Sequence, residues 1–297
     1  MTRSRIVVRL AAVAMGVATT AGLAACGGSN DSSGKPTIVA STNVWGSIAA
    51  AIAGTDAEVE SIIDSPTEDP HEYQTSPSDA AHIRDAALVI VNGGHYDEFA
   101  EKAAEGRGKP TINAFDMKAG VAAGDENEHV WYDVPTVDAV AAKIATELGT
   151  VDAEHAQAYT ERADAFRGRL KEISAITDGI AAAHPKSPVL QTEPLAHYLL
   201  LAAGADDRTP PAFAEAVEQG TDPAPADVAA VRELLTAKQV RALVYNAQTE
   251  NKTTEDVAAT AKTAGIPVLE ATETLPEGTD YIQWQTGNAQ ALAKALG

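Results

Sequence analysis

Only one of the 297 residues is cysteine. An intrachain disulfide is therefore excluded, and so is a cysteine-rich zinc site. Positive charge is scarce as well. Twenty-two Lys and Arg face 42 Asp and Glu, a formal charge of −20. Such a chain repels nucleic acid and anionic lipid headgroups, and its field draws cations. Long apolar runs are few. The stretch at residues 10–21 is too short and too Ala-rich for a membrane span. The His-Glu-x-x-His and Gly-x-Ser-x-Gly signatures of many hydrolases do not occur.

That N-terminal stretch reads instead as a secretory signal. Arg3, Arg5 and Arg9 precede the apolar run, and Leu23-Ala24-Ala25-Cys26 follows it. The tetrapeptide resembles the lipobox of bacterial lipoproteins, which implies cleavage before Cys26 and its lipidation. Residues 1–25 are expected to be the signal peptide, and 26–35 the lipidated Cys26 with a flexible tether. Residues 27–35 are polar, rich in Gly and Ser and free of large apolar side chains. The expected location is extracytoplasmic, anchored to the cell membrane.

The body reads as α/β. Short apolar segments at residues 37–40, 59–63, 87–91 and 111–114 alternate with helical segments, and the pattern returns at 189–192, 242–245 and 266–269. Strands separated by helices imply right-handed crossovers and mostly parallel sheets. The expectation is two similar lobes, each a mostly parallel sheet flanked by helices, over residues 36–150 and 187–297. One long helix within 151–186 joins them. Between residues 152 and 183, Tyr159, Ala163, Phe166, Leu170, Ile173, Ile176 and Ile180 recur at steps of three and four. Asp152 is a plausible N-cap and Pro185 a stop. About 32 helical residues would span about 48 Å at about 1.5 Å each.

Ligands of open α/β sheets bind beyond the carboxyl ends of strands. His71 follows the second predicted strand, and Pro70 stiffens its loop. His129, Glu193 and Asp280 lie in comparable loops. Two imidazoles and two carboxylates suit a divalent transition metal. Trp131 and Tyr132 read as packing residues, and His82, His155, His184 and His197 as helix-surface or cap residues. His95 follows a glycine pair at a strand end. His95, Asn246 and Gln248 are candidates to support the ligands through hydrogen bonds.

These motifs carry a family resemblance. Asp69-Pro70-His71-Glu72-Tyr73 with Pro77-Ser78-Asp79, then His129-Val130-Trp131-Tyr132-Asp133 and Thr192-Glu193-Pro194, resemble the ligand motifs of the metal-binding lipoproteins of zinc and manganese uptake ABC transporters. The resemblance runs from about residue 37 to the C-terminus. It implies a monomeric substrate-binding protein, not an enzyme, that carries Zn²⁺ or Mn²⁺ to an ABC permease and its ATPase. It also implies ligation by His71, His129, Glu193 and an Asp before a Tyr near the C-terminus. Here that pair is Asp280-Tyr281, one residue away from the family's usual spacing, with Glu273 as the alternative. Two further readings are an extracytoplasmic zinc-dependent hydrolase and a surface adhesin with a structural metal.

Overall fold

A computed structural model describes residues 34–65, 68, 70–71, 73–119 and 127–297. The expected signal peptide, Cys26 and residues 27–33 of the expected tether lie outside the described residues. Two four-stranded sheets, every pairing parallel, organise the rest. The first has the order β2-β1-β3-β4, from β1 (Thr37–Thr42), β2 (Glu58–Ile63), β3 (Leu88–Val91) and β4 (Thr111–Asn113). The second has the order β6-β5-β7-β8, from β5 (Pro188–Gln191), β6 (Asp206–Asp207), β7 (Ala242–Asn246) and β8 (Val268–Ala271). The helices are α1 (Asn43–Ala53), α2 (Pro77–Asp85), α3 (Glu98–Ala104), α4 (Val134–Val151), α5 (Ala156–Ala183), α6 (His197–Ala202), α7 (Pro211–Glu218), α8 (Pro225–Thr236), α9 (Lys252–Ala264) and α10 (Tyr281–Leu296). Among the described residues no helix is long and apolar enough to cross a membrane.

Alternation along the strands builds the layers. Ile38 and Ala40 of β1, with Leu88 and Ile90 of β3, enter one hydrophobic cluster, while Val39, Val89 and Val91 enter another on the opposite face. The second sheet repeats the device. Val189, Ala242 and Val244 face the first cluster, and Leu190, Leu243 and Tyr245 face a third with Phe213, Val231 and Val257. The inner faces of both sheets thus feed one continuous core within Lys35–Gly297, a single compact unit. Covering both faces of each sheet is what parallel strands require.

The long helix is shorter than the sequence pattern suggests. The stretch starting at Asp152 is not its first turn. Asp152 ends α4, and α5 starts at Ala156. The Asp152 carboxylate accepts from the Tyr159 hydroxyl at 2.8 Å and lies 2.7 Å from His155 Nδ1, which fixes the bend between the two helices. The α5 stripe buries Tyr159, Ala163, Phe166, Leu170, Ile173, Thr177 and Ile180. Thr177 is buried where the pattern pointed to Ile176, which is only partly covered. This helix packs on α1 and α4 of the first lobe and on α6 and α10 of the second. Arg162 donates to the carbonyls of Ile52 (2.6 Å) and Ala53 (2.9 Å) and pairs with Asp56 (2.9 Å). A cation at the carbonyl end of α1 is favoured by the helix dipole. Phe166 and Tyr281 bring α5 against α10, with ring centroids 6.0 Å apart.

Candidate metal centre

The loops that leave the strands toward the interlobe cleft are fixed by side-chain amides. In the first lobe, β3 runs into Asn92. Its Oδ1 accepts from the indole of Trp45 at 3.2 Å, and its Nδ2 donates to the Glu128 carbonyl at 2.9 Å. Asn127 then shapes the next residues. Its Oδ1 accepts from the His129 backbone at 3.1 Å and lies 3.3 Å from His129 Nδ1. With a proton on Nδ1 directed at that oxygen, Nε2 keeps its lone pair for a cation. Asn127 also reaches the second lobe. Its Nδ2 donates to the Pro194 carbonyl, and its own carbonyl accepts from Tyr198. The short turn Val130–Tyr132 follows, fully buried, and Tyr281 donates to the Trp131 carbonyl at 2.6 Å.

In the second lobe the holding group is Asn246, the last residue of β7. Its Nδ2 donates to Glu193 and, at 2.9 Å, to Glu273 Oε1. Thr249 donates to the other Glu193 oxygen at 2.9 Å. Gln248 accepts from the Glu273 and Thr274 backbones, and its Nε2 donates to the Thr274 hydroxyl and to the Glu68 carbonyl across the cleft. Asn246 therefore holds the two buried carboxylates, and Gln248 holds the backbone that carries Glu273.

Across this floor lies His71. Its Nδ1 is 3.5 Å from Glu273 Oε2, and its Nε2 is 3.5 Å from Glu128 Oε1. The His71 and His129 rings are 6.3 Å apart, and Tyr96 stacks edge-on against His71 at 4.8 Å. His71, His129, Glu193 and Glu273 are thus linked through direct contacts or the shared Asn246. Glu193 and Glu273 are about as deeply buried as His129, at 2%, 1% and 1% exposed, whereas the His71 side chain is 24% open to the cleft. Burial pushes His129 down to about 4, so it is neutral and ready to ligate near neutral pH.

Asp280, the fourth ligand expected from the motif, does not join this cluster. It N-caps α10, accepting from Gln283 N at 2.7 Å, and lies 3.8 Å from Arg169 on α5. Its carboxylate is committed to a helix end and a guanidinium, and Glu273 stands beside His71 instead. His95 also stays apart. It sits at the cleft mouth with a left-handed backbone (φ 71°), 91% exposed, beside Glu98.

Glu218 also faces the cleft, without a motif to mark it in the sequence. It ends α7, a helix unmarked in the sequence except by Pro210-Pro211. Ligand atoms of Glu128, His129 and Glu218 all lie within 4.8 Å of one another. Burial, with Glu128 and Glu193 nearby, raises Glu218 to about 8. Glu128 and Glu218 line a cleft with a volume of about 1200 Å³. Its described lining includes four glutamates and two histidines but no Lys or Arg. Such a set of nitrogen and oxygen donors has the chemistry to hold a divalent cation.

Residues 38–295 match the family described as "Zinc-uptake complex component A periplasmic". The chain belongs to this family. Among its relatives, the metal ABC transporter substrate-binding lipoprotein FimA of Streptococcus parasanguinis is 24% identical over 96% of this chain and 97% of its own. The manganese ABC transporter substrate-binding lipoprotein PsaA of Streptococcus pneumoniae is 24% identical over the same shares. The manganese-binding lipoprotein MntA of Halalkalibacterium halodurans is 29% identical, but the match spans only about half of each chain (53% and 53%). Solved structures share the fold. The periplasmic zinc binding protein TroA from Treponema pallidum superposes with a TM-score of 0.74 at 17% identity, covering 89% of this chain and 99% of that one. FpvC from Pseudomonas aeruginosa, solved in complex with Mn²⁺, gives 0.72 at 23% identity over 88% and 98%.

Proposed function

We propose that this family member is the extracytoplasmic binding component of a metal importer. It captures a divalent transition metal, Zn²⁺ or Mn²⁺, between its lobes and hands it to an ABC permease driven by an ATPase. His71 and His129 bind from the first lobe, and Glu193 and Glu273 from the second. The observation that carries this reading is the meeting of His71 with Glu273 across the cleft at 3.5 Å, beside the buried imidazole of His129. Neutral imidazoles supply lone pairs, and two buried carboxylates supply the charge that offsets the ion. The site binds its metal as cargo rather than using it for catalysis. The names of FimA, PsaA and MntA, all lipoproteins, support this role and an anchor through lipidated Cys26 after removal of residues 1–25. The protein acts as a monomer, since the ligands of one chain complete the site.

Residues 36–150 and 187–297 act as the two metal-clasping lobes, and the segment 151–186 that carries α5 holds them at fixed separation. Metal capture then needs movement of the loops bearing His71 and Glu273 rather than wide opening of the lobes.

Metal analysis and competitive titration with Zn²⁺ and Mn²⁺ test the proposal. One ion per chain is expected. His71→Ala and His129→Ala are each expected to lose stoichiometric binding, and full affinity in both variants would overturn the site.

A further inference from the structure

We propose that Glu218, supplied by α7, is a further ligand of the metal held by His71, His129, Glu193 and Glu273, forming with Glu128 a carboxylate-rich side of that one site next to His129. The inference rests on the metal-binding reading above and extends its ligand set. Three observations carry it. The first is geometric: the donor atoms of Glu128, His129 and Glu218 lie within 4.8 Å of one another, and His129 is 99% buried, its exposure being 1%. This spacing lets one ion reach all three groups after small side-chain movements. The second is an orphaned acceptor. Among the described residues, Glu218 Oε1 is shielded from solvent and has no hydrogen-bond partner. A shielded carboxylate oxygen without a donor is costly unless a cation or proton answers it. The third is its position. Glu218 is the last residue of α7, where the carbonyl end of the helix repels a carboxylate. Glu128 and Glu193 add negative charge nearby, and the described cleft lining offers no Lys or Arg to offset it.

The chemistry implied is a divalent cation richer in oxygen ligands than two histidines and two glutamates provide. Added carboxylates favour a hard ion such as Mn²⁺ more than Zn²⁺. Glu218 and Glu128 therefore set selectivity as well as affinity, and their place on the cleft lining lets them meet an incoming ion.

The test uses the full chain in detergent, titrated with Mn²⁺ alone and Zn²⁺ alone, comparing wild type, Glu218→Gln and Glu215→Gln. Glu215 is exposed on the same helix and controls for loss of charge without loss of a ligand. Glu218→Gln is expected to weaken Mn²⁺ binding by about tenfold or more, and Zn²⁺ binding by less. X-ray absorption at the manganese edge is expected to show one oxygen ligand fewer, with Glu215→Gln like wild type. Unchanged affinity in Glu218→Gln overturns the inference. So does weaker binding with an unchanged oxygen count, or an equal loss in Glu215→Gln, because each reduces Glu218 to a distant charge. A wild-type chain that binds neither ion overturns the metal-binding reading itself, and the inference with it. Circular dichroism on each variant confirms that folded protein is compared.

Discussion

Glu193 and Glu273 lie on different loops of the second lobe yet share one donor, the Nδ2 of Asn246 at the end of β7. Two buried carboxylates side by side would repel each other. A common amide group keeps them together, and in the proposed site a metal would do the same.

Removing that amide separates its two roles. Asn246→Ala is expected to lower the stability of the metal-free protein by about 1–3 kcal/mol, the range for stranding buried acceptors. Saturating metal should recover part of the loss, because the ion answers the same oxygens. Thermal unfolding with and without Zn²⁺ measures this as a larger metal-induced shift in the variant than in wild type. Equal shifts would contradict the shared-donor account.

Asp280 caps α10, and the proposed site gives ligation to Glu273 instead. Asp280→Ala removes the N-cap of α10 and is expected to cost about 0.5–2 kcal/mol in stability while leaving metal affinity intact. Glu273→Gln is expected to do the reverse, retaining the fold and losing tight binding. Calorimetric titration of both variants checks the pair. A loss of affinity in Asp280→Ala would return the fourth ligand to the position suggested by the motif.

Asn127 holds His129 rather than the metal. Asn127→Ala removes the acceptor beside Nδ1 and the amide that bridges to Pro194. Affinity is expected to fall by about 10–100-fold, the usual cost of losing a group that orients a metal-bound histidine. The dissociation constant should rise with stoichiometry unchanged. A drop in stoichiometry instead would mean that Asn127 builds the loop as a whole.

The metal-free protein should lose stability in acid through His129. Burial lowers its folded value to about 4, below the ordinary 6.5. Above the ordinary value the ring is neutral in both states and nothing is lost. As pH falls from there through the folded value, the unfolded chain takes up the proton first, and stability drops by on the order of 3 kcal/mol. Glu218 works in the opposite sense. Its folded value is raised to about 8, so it favours the folded state increasingly as pH falls from there toward the ordinary carboxylate range. Denaturation with chelator present, from pH 7.5 down to about 4 (a span set by these shifts), should show a shallower acid loss in His129→Gln and a steeper one in Glu218→Gln. Parallel curves for all three proteins would refute both assignments.

Much of this architecture is legible in the residues. The strands announce themselves because parallel strands covered on both faces are unbroken apolar runs, as in Leu88-Val89-Ile90-Val91. The α5 stripe is legible for the same reason, since steps of three and four leave one face apolar. Its start is not. Residues 152–155 contain neither Gly nor Pro, and the break between α4 and α5 comes from side chains that meet only in the folded chain, Asp152 with His155 and Tyr159. The strand β6 and helix α7 are also hidden. Two residues cannot show a period, and eight residues that begin within a proline pair give too few turns for one. Glu218, at the end of α7, is hidden with them.

The site divides in the same way. His71, His129 and Glu193 lie in local motifs whose residues also shape their own loops. Asp280 misleads because Gly-Thr-Asp-Tyr before an apolar-periodic helix fits both a ligand loop and a helix N-cap, and capping is what its backbone performs. Glu273 carries no local signal. Its role comes from Gln248 and Asn246, more than 20 residues away in sequence.

The continuous core beneath both sheets bears on how the molecule comes apart. Ile38 and Ile90 share one cluster with Val189 and Val244 through the buried face of α5, so neither half keeps its inner layer if the other melts. The chain is expected to unfold in one calorimetric transition rather than two. Truncating Phe166 to Ala should then lower the melting point sensed by probes in either half to the same degree, which makes the two lobes a single thermodynamic unit even though each carries its own sheet.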